Sequence, residues 1–226
     1  MSNLKHIAFI MDGNSSWASS RGVSQFDGYL CGMKNISRIV FACIKNEVRY
    51  VTFYAFSTEN WNRPEHWINR FMTLSKNFFK NDPSIDQMKN AGVRLNLIGD
   101  ATMLDNDLQE ILFKAVADTK DNDKMDVCLA LSYGGRNEII RALRKITAKK
   151  LEITEKTIEE HLDTAGIPDP DMIVRTSGKQ RLSNFLLWQS SYSELYFTHV
   201  FWPDFDEFEL QKAIDDFYMR ERKYGA

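Results

Sequence analysis

The stretch Ile7-Ala8-Phe9-Ile10-Met11-Asp12-Gly13-Asn14 decides the fold. Its apolar run is too short for a buried helix and is typical of a strand that is covered on both faces. The Asp-Gly-Asn that follows is a turn signal, so the strand ends there. A second run, Tyr50-Val51-Thr52-Phe53-Tyr54-Ala55-Phe56, is rich in β-branched and aromatic residues and predicts a second buried strand.

Outward from these two strands, helical and strand patterns alternate along the chain. Between the strands, apolar residues recur at helical spacing over residues 29–46. A further helix is predicted to open at Pro64, to break at Asn81-Asp82-Pro83-Ser84 and to resume to residue 90. The other predicted strands are 93–98, 125–131, 172–174 and 194–197, and the other predicted helices are 104–119, 137–149, 157–165 and 205–222.

This order predicts an α/β fold with a central, mostly parallel sheet surrounded by helices. There is no internal repeat and no Pro/Gly/Ser-rich linker, so residues 1–226 are predicted to form a single domain. Ligands of such sheets bind at the carboxyl ends of the strands. Three polar loops are predicted to lie there, over residues 12–28, 57–64 and 175–183.

Composition narrows the classes of function. The chain has 226 residues, with 29 Lys+Arg against 31 Asp+Glu, and this net charge of −2 argues against a nucleic-acid partner. No apolar run approaches the ~18 residues that span a bilayer, and no signal peptide opens the chain, so a cytoplasmic location is expected. Three scattered cysteines predict buried structural thiols, and four histidines without ligand spacing argue against a zinc site.

Each polar loop has a functional and a structural interpretation. In the first, Asp12 can hold a cation and Gly13 with Ser15 and Ser16 can meet a phosphate, but an ordinary Asx turn fits this loop better when it is taken alone. In the second, Trp61 and Arg63 are compatible with an anion site or with a plain helix cap before Pro64.

The third loop carries three cations and three hydroxyls within Arg175-Thr176-Ser177-Gly178-Lys179-Gln180-Arg181-Leu182-Ser183-Asn184. Arginine forks match phosphate oxygens, although a solvated surface loop is the alternative. Glu194 follows in an aromatic-rich segment, where a carboxylate is costly unless it is paired or bound to a metal. With Asp12 it could hold Mg²⁺, which prefers oxygen ligands. Neither standard nucleotide-binding glycine motif is present.

Together these loops resemble the cis-prenyltransferase family, over residues 6–225. The resemblance is carried by Ile10-Met11-Asp12-Gly13-Asn14, Tyr54-Ala55-Phe56-Ser57, Glu59-Asn60-Trp61-Asn62-Arg63-Pro64, Tyr133-Gly134-Gly135-Arg136, Ser183-Asn184-Phe185-Leu186-Leu187-Trp188-Gln189, Glu194-Leu195-Tyr196-Phe197 and Phe201-Trp202-Pro203-Asp204-Phe205. It implies Mg²⁺-dependent coupling of prenyl diphosphates, an apolar tunnel for the growing chain and a homodimer. The implied substrates are isopentenyl diphosphate and dimethylallyl or longer allylic diphosphates, and contact with a membrane is expected only through a lipid product.

The resemblance also implies residue roles. Asp12 and Asn14 are the implied catalytic residues, the first handling metal and diphosphate and the second assisting proton removal. Glu194 joins Asp12 as an implied Mg²⁺ ligand. Arg175, Arg181 and Ser183 match the residues that grip isopentenyl diphosphate. The other implied substrate-binding residues are Gly13, Ser15, Ser16, Trp17, Tyr29, Ser57, Asn60 and Arg63.

The chain departs from the family pattern around the allylic diphosphate. Ser15-Ser16 stands where the family has Gly-Arg, Gln25 where it has Arg, and Tyr29 where it has His. The third loop reads Ser177-Gly178-Lys179-Gln180 in place of Gly-Gly-Glu-His, and the C-terminal Arg-x-Gly signature reads Lys223-Tyr224-Gly225. Arg21 or Lys179 could replace the lost cations, or both could simply be solvated.

Three interpretations follow from these departures. The first is an active transferase with a remodelled allylic site and an irregular head-to-middle or short-chain product, because residues 22–29 resemble the lavandulyl-type branch. The second is a regular synthase that elongates its chain in the cis configuration, of the undecaprenyl type. The third is a non-catalytic subunit of another prenyltransferase. Such a subunit has no need for Asp12, Asn14, Arg175, Arg181 and Glu194 together.

Overall fold

A six-stranded, all-parallel sheet forms the centre of the computed structural model, which describes residues 4–221. Its strands are β1 (His6–Ile10), β2 (Tyr50–Ser57), β3 (Val93–Ile98), β4 (Met125–Tyr133), β5 (Met172–Arg175) and β6 (Glu194–Phe197). They are ordered β3-β4-β2-β1-β5-β6. All six predicted strands are confirmed. The first of them, β1, lies beside β2 at the middle of the sheet.

Eight α-helices connect and cover the strands in the described part of the chain. They are α1 (Asn14–Ser20), α2 (Gln25–Lys45), α3 (Glu65–Asn81), α4 (Pro83–Asn90), α5 (Asn106–Thr119), α6 (Gly135–Ala148), α7 (Glu155–Glu159) and α8 (Glu207–Met219). The predicted break at residues 81–84 is confirmed, because Asp82 ends α3 and its side chain accepts from Ser84 N to cap α4. Short 3-10 turns lie at Thr58–Asn62, Ala101–Met103 and Trp202–Asp204.

The prediction of a loop over residues 12–28 was wrong. This segment holds all of α1 and the first turn of α2. Ser24 and Asp27 form a capping box, in which the side chain of each accepts from the backbone N–H of the other, and this fixes the start of α2 at Gln25. The predicted helix over 157–165 is also displaced, because the Thr154 cap starts α7 at Glu155 and turns follow from residue 160.

The main hydrophobic core lies on one face of the sheet. There Phe9 of β1 and Phe53 of β2 stack with ring centroids 5.3 Å apart beneath the fully buried Trp202. Helices α2, α3, α5 and α8 contribute to this core. A smaller cluster on the other face contains Phe185, and Tyr54 stacks on it at 4.4 Å. The sheet is therefore buried on both faces, as a parallel sheet requires.

The strand register brings the three predicted loops to one edge. Ile10 at the end of β1 lies opposite Arg175 at the end of β5, and β2 runs on to Ser57 beside them. Cys43 and Cys128 are buried as predicted, whereas Cys31 is half-buried. Within residues 4–221, every helix falls short of the length and apolarity needed to cross a bilayer.

Candidate active site

The centre of the site is an ion pair between the first and third loops. Arg175 Nη2 donates to Asp12 Oδ2 at 2.9 Å. The Arg175 side chain is only 4% exposed, whereas that of Asp12 is 38% exposed. The buried guanidinium thus holds a carboxylate that faces the cavity at the carboxyl ends of the strands. Arg175 is a positioning group in this arrangement, not an open phosphate ligand.

Arg175 also orders the third loop. Its Nη1 donates to Ser183 Oγ at 2.7 Å and to the carbonyl oxygen of Arg181. Arg181 and Ser183 are exposed, so their side chains are available to an anion. The structure therefore brings Asp12, Arg175, Ser183 and the backbone of Arg181 together, and the binding of isopentenyl diphosphate by Arg175, Arg181 and Ser183 stays a prediction.

Gly13 makes the turn that carries Asp12 into α1. Its φ of 101° lies in the left-handed region, and an added β-carbon would lie 2.8 Å from the Phe201 ring and 2.9 Å from Ser177 Cβ. Its N–H donates to Asp12 Oδ1 at 2.9 Å. Thr176 holds the same residue from the other side, since its hydroxyl accepts from Asp12 N and donates to Asp12 O. Only glycine fits this turn.

Asn14 lines the cavity and is packed tightly against α2. Its Nδ2 donates to the Met11 carbonyl at 3.1 Å, while its Oδ1 is buried without a hydrogen-bond partner. That oxygen lies 2.2 Å from where a β-carbon on Gly32 would be. An unpaired buried acceptor costs roughly 1–3 kcal/mol and is typical of a site built for function.

A network of neutral side chains lies where the family resemblance predicts the allylic half of the site. Gln25 Nε2 donates to Ser15 Oγ at 2.7 Å and its Oε1 accepts from Trp67 Nε1 at 3.2 Å. Ser15 Oγ in turn lies 3.2 Å from the Tyr29 hydroxyl. Of the residues that replace the family's two arginines and histidine, Gln25 and Tyr29 are thus connected through Ser15, whereas Ser16 is exposed.

Arg63 is the single cation among the described residues that line this cavity. Its Nη1 donates to the Tyr29 hydroxyl at 3.0 Å, and its guanidinium lies over the Trp67 ring, 4.0 Å from the centroid. Arg21 is held elsewhere, because it forms two hydrogen bonds with Asp204 and stacks on Trp17 at 4.4 Å. The structure therefore places Arg63, and not Arg21, at this cavity; Lys179 is exposed on the third loop.

The second loop is built as a cap that also contacts the third loop. Ser57 N donates to Asn60 Oδ1 at 3.0 Å in a capping box, so both predicted residues have a structural partner. Glu59 accepts from Asn184 Nδ2 at 2.7 Å. Burial opposes ionisation of Glu59, but hydrogen bonds from Asn184 and from its own backbone outweigh it and lower the pKa of this carboxyl.

Trp17 and Glu194 lie apart from this cavity's polar centre. Trp17 Nε1 donates to Asp204 Oδ1 at 2.8 Å, so its indole faces the turn before α8. Glu194 is the first residue of β6 and pairs in register with Met172, at the amino end of the sheet. Its carboxylate accepts from Arg220 at 2.8 Å. Within one chain, therefore, the structure does not bring Glu194 to Asp12.

Asp12 suits Mg²⁺ as one ligand of a shared site. Its carboxylate offers oxygen atoms at the cavity, and Mg²⁺ is commonly bound by one or two carboxylates together with substrate phosphates. In the described residues 4–221 there is no group of three or more His, Cys, Asp or Glu side chains that could hold a metal without a substrate. The donor set thus fits a metal that is completed by a diphosphate.

Comparison with known proteins identifies the family and the fold. Residues 10–225 match the family described as "Putative undecaprenyl diphosphate synthase". The chain belongs to the cis-prenyltransferase family. It is a prenyltransferase, and it is 46% identical to an isoprenyl transferase of Clostridium perfringens over 98% of this chain and 90% of that protein. It is 38% identical to the (2E,6E)-farnesyl-diphosphate-specific ditrans,polycis-undecaprenyl-diphosphate synthase of Legionella pneumophila, over 98% and 95%.

Two solved structures are similar to this cis-prenyltransferase over their whole length. Lavandulyl diphosphate synthase from Lavandula x intermedia, solved with dimethylallyl diphosphate, superposes with a TM-score of 0.93 at 33% identity and covers 99% of both chains. A probable undecaprenyl diphosphate synthase from Campylobacter jejuni superposes with a TM-score of 0.85 at 35% identity and covers 100% of both. The predicted family and fold are therefore confirmed.

Three residues of the site were not predicted from the sequence. Gln25 was noted only as the replacement for an arginine, yet its amide connects Ser15 to Trp67. Thr176 clamps the Asp12 backbone, and Gly32 makes room for Asn14. A glycine within the apolar spacing of α2 was the one signal that could have found Gly32, because such a glycine often marks a close approach.

Proposed function

We propose that this cis-prenyltransferase couples short prenyl diphosphates at a remodelled allylic site and makes an irregular head-to-middle or short-chain product. The observation that carries the proposal is the neutral network of Ser15, Gln25 and Tyr29, with Arg63 as the single cation among the described residues around it. Similarity to lavandulyl diphosphate synthase supports it, as that protein was solved with dimethylallyl diphosphate.

The reaction begins when diphosphate leaves an allylic carbon. Negative charge then grows on the leaving oxygens, and preorganised donors lower the barrier. Arg63 meets this charge from the mouth of the cavity, and the hydroxyls of Ser15 and Ser16 add neutral donors. Each charge-assisted hydrogen bond contributes about 1.5–3 kcal/mol. A site with fewer cations therefore depends more on its neutral donors to stabilise the leaving diphosphate.

A second prenyl diphosphate supplies the electrons for the new bond. Its diphosphate is gripped by Arg181 and Ser183, which the buried Arg175 holds in place. Its double bond attacks the allylic carbon, a carbon–carbon bond forms and a proton is lost. The unpaired Oδ1 of Asn14 assists this last step as a hydrogen-bond acceptor, and the proton passes to the released diphosphate.

Mg²⁺ is proposed as the cofactor, with Asp12 as its protein ligand. When bound, the ion neutralises diphosphate charge. Asp12→Asn should remove the ligand and keep the hydrogen bond to Arg175. Titration of Mg²⁺ against the wild type and this variant, in the presence of an unreactive thiodiphosphate analogue, tests the assignment by calorimetry. Equal Mg²⁺ affinity in both would contradict it.

A homodimer is also proposed, supported by an exposed edge of the sheet. β6 is the last strand and carries the exposed Leu195. Arg220 binds both Glu194 and the Leu195 carbonyl, so the exposed Met219 of α8 lies near this edge. Such an edge is usually covered. The C-terminal signature Lys223-Tyr224-Gly225 lies outside the described residues.

The regular elongating synthase is the second candidate, favoured by 46% identity to an isoprenyl transferase. Product mass spectrometry with Mg²⁺ separates the two. A product from dimethylallyl diphosphate alone supports irregular coupling, because regular elongation needs isopentenyl diphosphate. Products that grow by five-carbon steps only with isopentenyl diphosphate would establish the regular synthase. No product in any mixture would favour a partner-dependent subunit.

A further inference from the structure

Two separate cavities lie on the face of the sheet that carries the main hydrophobic core. The first is the cavity of the site, here called the head cavity, and Asp12 and Arg63 are among the residues that line it. The second, here called the rear cavity, lies between α3, α4 and α5 and strands β3 and β4, and its walls are mostly apolar. Ile36 of α2 lines both of them, and no other described residue does.

The head cavity is small for a prenyl chain. Its volume is about 220 Å³, and that of the rear cavity is about 430 Å³. Benzene fills a cavity of roughly 150 Å³. By this scale the head cavity accepts one or two five-carbon units, whereas a farnesyl tail needs on the order of 350 Å³. The rear cavity has room for about three further units.

The inner wall of the head cavity is made of packed rings. Trp67 stacks on Phe71 with centroids 5.2 Å apart, and Phe56 and Tyr29 lie 5.4 and 5.5 Å from Phe71. These rings pack closely against one another, so they leave no room for a tail to pass between them. Ile36, which is 8% exposed, is the aliphatic side chain that completes the wall toward the rear cavity.

We propose that Ile36 sets the length of the prenyl chain that this enzyme accepts, by closing the head cavity against the rear cavity. The inference rests on the proposed prenyl-diphosphate chemistry. It makes Ile36 a specificity-determining residue: a five-carbon tail ends before it, and a fifteen-carbon tail must pass it. Removing its branched side chain joins the two cavities into one longer apolar channel.

The test is the binding of two unreactive analogues, dimethylallyl thiodiphosphate and farnesyl thiodiphosphate, by calorimetry with Mg²⁺. The wild type should bind the dimethylallyl analogue more tightly. Ile36→Ala should shift the ratio of the two dissociation constants toward the farnesyl analogue by at least about ten-fold, since the longer tail gains apolar burial. The milder Ile36→Val should shift the ratio in the same direction by less, and it guards against a folding defect.

Ala115 of α5, which lines only the rear cavity, supplies the matched control. Ala115→Phe fills that cavity. It should leave the ratio unchanged in the wild type and cancel the shift in the Ile36→Ala background. Tighter farnesyl binding by the wild type, or no shift in Ile36→Ala, would overturn the inference. A clear shift in binding together with no turnover in any substrate mixture would instead contradict the proposed function.

Discussion

The side-chain oxygen of Asn14 lies 2.2 Å from the place that a β-carbon on Gly32 would take. Gly28, one turn earlier on α2, leaves the same kind of room for the Asn14 carbonyl oxygen, also at 2.2 Å. Helix α2 thus presents two glycines to Asn14 at the start of α1. The position of Asn14 therefore depends on the absence of a side chain at Gly28 and at Gly32.

Gly32→Ala should therefore impair catalysis without unfolding the protein. The new methyl group displaces the Asn14 amide, and we expect turnover to fall at least ten-fold. Alanine stabilises a helix by roughly 1 kcal/mol relative to glycine. This gain offsets part of the loss in the free energy of unfolding that the crowding causes. Turnover and urea denaturation measure the two effects. Lys34→Ala, on the exposed face of α2, is the control, and equal turnover in both variants would refute the role of Gly32.

Arg63 and Arg21 allow a direct comparison of an arginine that lines the cavity with one that is held outside it. Arg63→Gln should raise KM for the allylic diphosphate by about 10- to 100-fold, because a charge-assisted hydrogen bond contributes about 1.5–3 kcal/mol. Arg21→Gln should change it less than about three-fold, since Arg21 is committed to an exposed pair with Asp204. Steady-state kinetics on both variants test this. A larger effect at Arg21 would make it the substitute cation.

The buried guanidinium of Arg175 leads to a prediction about stability. Lysine carries its three N–H donors on one nitrogen, whereas Arg175 reaches Ser183 and the Arg181 carbonyl from Nη1 and Asp12 from Nη2, so lysine cannot reproduce this arrangement. Arg175→Lys should lower the free energy of unfolding by roughly 1–3 kcal/mol and reduce turnover more than ten-fold. Arg38→Lys alters an exposed pair with Glu207 and should cost less than about 0.5 kcal/mol. If both variants lose a similar amount of free energy of unfolding, the burial of Arg175 does not contribute to stability.

Local patterns predicted most of the fold. The apolar run before Asp12 and the Pro83 break act within a few residues, and each was read correctly. α1 was missed because it is short and buries only Ala18, so it shows no apolar periodicity. The start of α2 was readable from the Ser24–Asp27 spacing, which is a capping signal.

The site was predictable only in part, because its contacts join distant residues. The carboxyl ends of parallel strands meet at one edge, and this brought Asp12 and Arg175 together as expected. Glu194 follows from no such rule, since the strand register sets it at the amino end of β6. The bond between Arg63 and Tyr29 spans 34 positions of sequence and depends on how α2 packs beside the second loop.

His6 should make stability depend on pH, away from the active site. Its ring is buried, donates from Nδ1 to the Pro168 carbonyl at 2.7 Å and accepts at Nε2 from the Thr52 hydroxyl at 2.8 Å. Burial lowers its pKa from 6.5 to about 4. Between these values the unfolded chain binds a proton at His6 that the folded protein does not bind. The contribution of neutral His6 to the free energy of unfolding is therefore complete above pH 6.5 and is lost as pH falls toward 4.

The measurement is the free energy of unfolding in urea at pH 7.5 and at pH 4.5. One pKa unit corresponds to about 1.4 kcal/mol, so His6 alone should account for a loss of about 2–3 kcal/mol across this range. His6→Asn keeps a side-chain donor for Pro168 but does not titrate, so its pH dependence should be smaller by that amount. His66→Gln changes an exposed histidine and should retain the wild-type dependence. If His6→Asn and the wild type lose equal stability on acidification, another group is responsible.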